Sequence, residues 1–292
     1  MAFKSVEELL TLSQTENNPL WQAVLIDDIT DRQVAESESI EKMNYLWGKM
    51  QDASKNYDGN QRSNSGLVGG DGEKMKVAIK NNATISGSFI SEVISEALKM
   101  GECNACMKCI VAAPTAGSCG VLPSVLITIA KANKISDEEI VKSLYVSAGF
   151  GQVIATRASI SGAEGGCQAE IGSASAMASA ALVFLKGGTN EMMANACAMA
   201  LKSLLGLVCD PVAGLVEIPC TKRNVIGAIN AISCADMALA GITSKIPCDE
   251  VIDAMASVGN LMASSLKETG EGGLAGTPTA KEIVKRLNIK KD

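Results

Sequence analysis

The sequence predicts a mainly α protein: one large helical domain with its reactive cysteines on the joints between helices. Three observations carry that prediction. Aromatic residues make up only 3% of a chain whose residues are 47% hydrophobic, so β-favouring side chains are scarce. Ala, Gly, Ser and Met are abundant instead, a mixture that suits helices packed closely through small side chains. From Ile85 onward, weakly polar segments recur at helical spacing between short joints rich in Gly and Pro.

The elements follow in order. Ser5 and Glu8 form a capping box, which predicts a helix from Val6 to about Ser13. A second helix is predicted over 40–53, carrying Tyr45 and Trp47. Residues 56–72 (NYDGNQRSNSGLVGGDG) read as a loop, either a linker or an anion site in which successive N–H groups face a carboxylate or phosphate. Further helices are predicted over 86–100, 121–134, 137–150, 173–186, 190–206, 224–240 and 248–262, with Ser136 and Glu139 as a second capping box. Asn18-Pro19 and the 56–72 loop are the candidate boundaries. The expected division is a helical N-terminal segment, 1–60, and a larger helical domain, 61–292.

Charge and composition exclude several functions. Lys and Arg number 26 against 32 Asp and Glu, a net charge of −6, and there is no histidine. Without imidazole the chain alone cannot build a Ser-His-Asp or Cys-His site, a His-ligated zinc or a proximal-His haem. Any base in the chain is Lys, Glu, Asp, Tyr or a thiolate, unless a second polypeptide supplies one. The acidic balance and scarce aromatics offer no groove or stacking platform for nucleic acid. No Gly-rich joint matches GxGxxG in context or GxxxxGK[ST]. The longest weakly polar stretch, from Ile171 to Leu185, is interrupted by Gly172, Ser173, Ser175 and Ser179 and falls short of a membrane span. Glu7 and Glu8 occupy the place where a signal peptide is apolar. The expectation is a cytoplasmic protein, with no membrane partner, whose ten cysteines are reduced or metal-bound.

Two cysteine constellations compete. Cys103, Cys106 and Cys109 match C-x-x-C-x-x-C, as at the start of a ferredoxin loop. However, the run continues from a helical stretch, and the next cysteine, Cys119, comes ten residues later. The alternative is a set of small apolar thiols at a helix start. The second constellation is dispersed: Cys167 in SGAEGGCQAE, Cys209 in GLVCDPVAG and Cys220 in VEIPCTKRN. Each lies at a joint beside Gly or Pro, where backbone N–H groups are free to donate to sulfur. Three thiolates without a fourth would leave one iron of a cubane cluster without a protein ligand, and such an iron is a Lewis acid.

The strings SISGAEGGCQAEIGSASAMA (159–178), LGLVCDPVAGLVEIPCTKRN (205–224) and IVAAPTAGSCGVLP (110–123) resemble the iron–sulfur L-serine dehydratases, in particular the catalytic α chain of the two-subunit bacterial form. The resemblance runs from Ser63 to about Thr279, and FKSVEELL also fits. It implies that Cys167, Cys209 and Cys220 hold a [4Fe–4S] cluster. It also implies that L-serine is converted to pyruvate and ammonium without pyridoxal phosphate. Single-chain members carry a further N-terminal domain that is not seen here, so a separate β chain and a hetero-oligomer are expected. Some single-chain members end in a cysteine that caps the open iron. No cysteine follows Cys248, so that arrangement is not expected here.

The remaining site assignments rest on proximity to these motifs. Glu164 and Asp210 are candidate catalytic acids or bases, each with a capping role as the alternative. The resemblance points instead to a histidine of the β part as the base. For substrate binding the candidates are Ser63, Ser65 and Gly66 of the SNSG loop, Thr115 and Ser118 of the PTAGS joint, Asn104, Arg223 and Asn224. An electron-transfer protein built on Cys103, Cys106 and Cys109, and a hydro-lyase or cysteine-desulfhydrating enzyme with another substrate, are the competing readings.

Overall fold

The fold was analysed in a computed structural model that describes residues 3–288. The chain end from Ile289, where a capping cysteine was sought, lies outside those residues. Among the described residues there are thirteen α-helices and no β-strand. They are α1 (Val6–Thr15), α2 (Leu20–Arg32), α3 (Glu36–Lys55), α4 (Asp71–Lys80), α5 (Gly87–Ala105), α6 (Val121–Asn133) and α7 (Asp137–Arg157). After these come α8 (Gly162–Gly165), α9 (Ser173–Leu185), α10 (Asn190–Lys202), α11 (Cys220–Leu239), α12 (Cys248–Leu261) and α13 (Pro278–Arg286).

Helix α9 is the centre. It packs against α7, α10, α11 and α6, and its residues from Ser173 to Val183 are all buried. Its sequence, SASAMASAALVFL, explains how four neighbours fit: small side chains let helix axes approach at the density of a protein interior. The buried hydroxyl of Ser179 donates to the Ala176 carbonyl (2.8 Å), so burying it leaves no orphan donor. A wider π-helical turn, Gln168–Gly172, leads into α9. With it the helical run Gln168–Leu185 reaches the length and apolarity of a membrane span, longer than the sequence suggested. Yet 83% of it is buried inside the fold, as a core helix should be.

Both serines cap their helices as the sequence predicts. Ser5 Oγ accepts from Glu8 N (3.0 Å) and Ser136 Oγ from Glu139 N (3.3 Å). Asn18-Pro19 lies between α1 and α2, and Pro19 is the cap residue of α2, where its missing N–H costs nothing. Leu20, Val24 and Leu25 of α2 are buried, and they share one core with Phe150, Ile154 and Leu126. The predicted 137–150 helix runs on to Arg157 because its glycines are packing contacts rather than stops. A Cβ at Gly149 would meet Val24, and one at Gly151 would meet Met177.

Helix α4 falls partly in the segment read as loop, and its sequence is polar. A distant side chain sets its start: Glu102, on α5, accepts from Asp71 N (2.7 Å) and Gly72 N (3.3 Å). The same carboxylate accepts from Tyr57 Oη (2.5 Å), and burial together with Glu102 holds the Tyr57 phenol well above its usual range. One acid therefore fastens both ends of the 57–71 loop. Cys103 lies in the last turn of α5, and Cys106 follows its end. That triplet thus closes a helix rather than opening one.

Helix α11 approaches the π turn closely. A Cβ at Gly227 would stand 2.8 Å from Ile171 Cγ2 and 2.9 Å from Val121 Cγ2, both on stiff, buried side chains. Gly227→Ala is expected to lower stability by about 1–3 kcal/mol through overpacking, read as a shift in the urea unfolding midpoint.

Candidate active site

Cys167, Cys209 and Cys220 come from three separate motifs, and the fold buries all three, at 2%, 3% and 7% exposure. Cys209 alone sits on an extended joint, where its backbone accepts from Glu268 N (2.7 Å) and donates to Leu266 O (2.8 Å). Cys167 immediately precedes the π turn, and Cys220 is the first residue of α11. The cysteines expected on joints are thus one joint residue and two residues at helical starts. Gln168 ties the first motif to the second. Its amide accepts from Gly206 N (2.8 Å) and donates to Met255 O (3.0 Å), while its own N–H donates to Leu207 O (2.9 Å). All ten cysteines are free thiols.

Electrostatically this region is one-sided. A hydrogen bond shared with Cys167, together with burial, pushes the Cys209 thiol far up. Burial pushes Cys220 up to about 12, with the charges of Cys167 and Glu170 adding and Arg223 opposing. Glu170, on the π turn, stands 3.8 Å from Cys209 Sγ through Oε2, and its carboxyl is raised by burial. Space for this packing comes from Gly162, where a Cβ would stand 2.8 Å from Glu170 Oε2 and 2.9 Å from Cys209 Sγ. Three buried thiols beside a buried carboxylate are a donor set suited to a cationic group. Among the described residues, no three such side chains are gathered as a single metal ion requires.

The other candidates fall into distinct environments. Thr115 Oγ1 donates to Glu170 Oε1 (2.7 Å) and lies 3.1 Å from Ser118 Oγ, so the PTAGS joint reaches this site. Asn224 accepts from Gly120 N (2.7 Å) and donates to Gly117 O (2.8 Å) and Cys220 O (2.9 Å). It clamps that joint to the start of α11. Asn104 donates to Ala116 O (3.2 Å). Arg223 pairs with Asp210 (2.8 Å) and donates to Val208 O (2.7 Å), while Asp210 Oδ2 accepts from Leu274 N (2.7 Å). The Arg223–Asp210 pair therefore flanks both Cys209 and Cys220. Glu164 is exposed and accepts from Ser159 Oγ (2.6 Å).

Ser63 and Ser65 both donate to Glu217 Oε2, at 3.0 and 2.5 Å. Gly66, at φ 74°, closes the turn by donating to Ser63 O (2.9 Å). The SNSG loop is thus pinned to the segment just before Cys220. Glu170 and Glu217 are the acids the sequence reading passed over. Each stands three residues from a motif cysteine, Glu170 after Cys167 and Glu217 before Cys220, but the exposed Glu164 has the same spacing, so the sequence alone does not single them out.

A helical protein whose buried reactive groups are thiols and carboxylates, with no imidazole, defines a narrow class. The "Serine dehydratase alpha chain" family model matches residues 11–275. A Bacillus subtilis (strain 168) protein described as "Probable L-serine dehydratase, alpha chain" is 45% identical over 285 residues, 98% of this chain and 95% of that one. A Latilactobacillus sakei protein with the same description is 56% identical over 188 residues, 64% of this chain and 90% of that one. The "L-serine dehydratase, alpha chain" of Peptoniphilus asaccharolyticus is 40% identical over 280 residues, 96% of each chain. This chain belongs to the serine dehydratase alpha-chain family, and so to the lyases.

The Arg223–Asp210 pair yields a test. Asp210 is 3% exposed, so removing its partner strands a buried carboxylate. Arg223→Met is expected to destabilise the protein by about 3–5 kcal/mol, measured by urea denaturation.

Proposed function

We propose that this chain is the catalytic α subunit of an L-serine dehydratase. It would work in the cytoplasm with a separate β chain and hold a [4Fe–4S] cluster on Cys167, Cys209 and Cys220. The observation that carries the reading is the burial of these three thiols beside Glu170, with no lysine or arginine paired to that carboxylate among the described residues. The names of the relatives supply the substrate and, through the words "alpha chain", the partner. A cluster offers one iron to each thiol, so the three sulfurs need not meet at a point as they would around a single ion. When bound with one iron free of protein ligands, it supplies a Lewis acid for the serine hydroxyl, a poor leaving group.

The reaction is an α,β-elimination. L-serine loses its α-proton and its hydroxyl, as water, to give aminoacrylate, which tautomerises and hydrolyses to pyruvate and ammonium. The chain's own residues prepare the substrate. Thr115 and Ser118 place hydroxyls within the site, and the SNSG loop, its Ser63 and Ser65 hydroxyls held by Glu217 and its turn closed at Gly66, would border the substrate carboxylate. Asp210 and Arg223 hold the Cys209 and Cys220 segments against each other. The α-proton goes to a histidine of the β chain, since this chain has none.

Anaerobic purification with the co-expressed partner is expected to yield about four irons and four sulfides per chain, together with serine-to-pyruvate activity. Cys167→Ala should abolish the cluster absorbance. A metal-free protein that is fully active would overturn the proposal. The α chain purified alone, with its cluster rebuilt, should turn over serine at least about a hundredfold more slowly than the complex, because it lacks the base. Activity should also fall on exposure to air and return with ferrous iron and thiol.

A further inference from the structure

We infer that Glu170 is the acceptor of the substrate's ammonium group, and thereby the residue that restricts the site to α-amino acids. The inference rests on the proposed serine dehydratase activity and extends it. Glu170 is 8% exposed, and among the described residues its side chain accepts hydrogen bonds from neutral donors, Thr115 Oγ1 at 2.7 Å and the Cys209 thiol at 3.8 Å. Among the described residues no lysine or arginine pairs with it. A buried carboxylate without a cationic partner is costly, so its retention beside Cys209 calls for a cation that arrives from elsewhere.

Of the other acids in this region, Glu268, whose charge raises Glu170, is exposed, and three more are already engaged. Asp210 holds Arg223 at 2.8 Å and accepts from Leu274 N, Glu217 takes both SNSG serines, and Glu164 is exposed and bonded to Ser159. Glu170 alone of these acids combines burial, contact with a cysteine thiol and freedom from a protein cation. Gly117 and Gly162 leave the space around it open, since a Cβ at either would come within 3.0 Å of a Glu170 oxygen. The π turn is what aims the side chain there, three residues after Cys167. L-serine offers one cation, its ammonium. With the hydroxyl end directed to the thiol-held group, the ammonium falls to the carboxylate that adjoins Cys209. A hydroxy acid lacking the amine would leave Glu170 buried and unpaired, and this penalty is what excludes it.

The test uses the anaerobically purified complex with Glu170→Gln, an isosteric change that removes the charge, and Glu170→Asp, which keeps it. Iron and sulfide content, KM and kcat for L-serine, and the inhibition constant of 3-hydroxypropionate, which lacks the amine, are measured for each. E170Q is expected to keep its iron and to raise the KM for L-serine about 10- to 100-fold. It should leave binding of 3-hydroxypropionate within about twofold of its starting value or tighter. E170D should recover part of the preference for the amine. Loss of the iron in both variants, an unchanged KM in E170Q, or equal weakening of both ligands would each overturn the assignment. A wild-type complex without iron or without serine turnover would instead overturn the proposed function, so the two failures are distinguishable.

Discussion

Thiols and carboxylates kept out of water beside Cys209 set the terms for the surrounding structure. Neither group ionises readily when buried, and neighbours add to the effect: a hydrogen bond shared with Cys167 raises Cys209, and burial raises Cys220, with the charges of Cys167 and Glu170 adding. Arg223 opposes the trend at Cys220 but is itself committed to Asp210. The site therefore stores an unmet demand for positive charge. Most of the neighbouring polar contacts can be understood as holding the acidic groups in place against that demand.

The holding is done over long sequence distances. Gln168 joins the first cysteine motif to the segment before Cys209 and to α12. Asn224 spends all three of its hydrogen bonds on the joint between α5 and α6 and on the start of α11. Glu102 fastens the loop that carries Ser63 and Ser65, while Glu217 grips those serines from the other side. The same device recurs far from the site: Asp249, at the start of α12, accepts from Val6 N (2.8 Å) and Glu7 N (3.1 Å) and so caps α1. A fold made of short helices has many orphan N–H groups at their starts, and buried acids from other helices satisfy several of them.

Much of the architecture was legible because helices leave local traces. The side-chain caps at Ser5 and Ser136 and the small-residue run of α9 depend only on neighbours in sequence. Where the reading stopped short, the reason was tertiary. Helix α4 is polar and takes its start from Glu102, thirty-one positions away from Asp71, so nothing within its own window announces it. The glycines of α7 carry local signals of interruption that packing overrode. In the site, the three cysteines of the long motifs are indeed buried together, yet Glu164 points outward and Glu170 inward. Six positions separate them, and the two acids are chemically alike, so only the π turn distinguishes them.

The sequence by itself determined the helical class, the family and the inventory of groups available for chemistry, including the absence of any imidazole. Those properties live in composition and in motifs that do not depend on how distant segments meet. Only the tertiary structure decided which acid faces the thiols, which serves a cap and which pairs with an arginine. That decision rests on burial and on partners brought from elsewhere in the chain. A carboxylate near Cys209 differs from one on the surface only through what surrounds it.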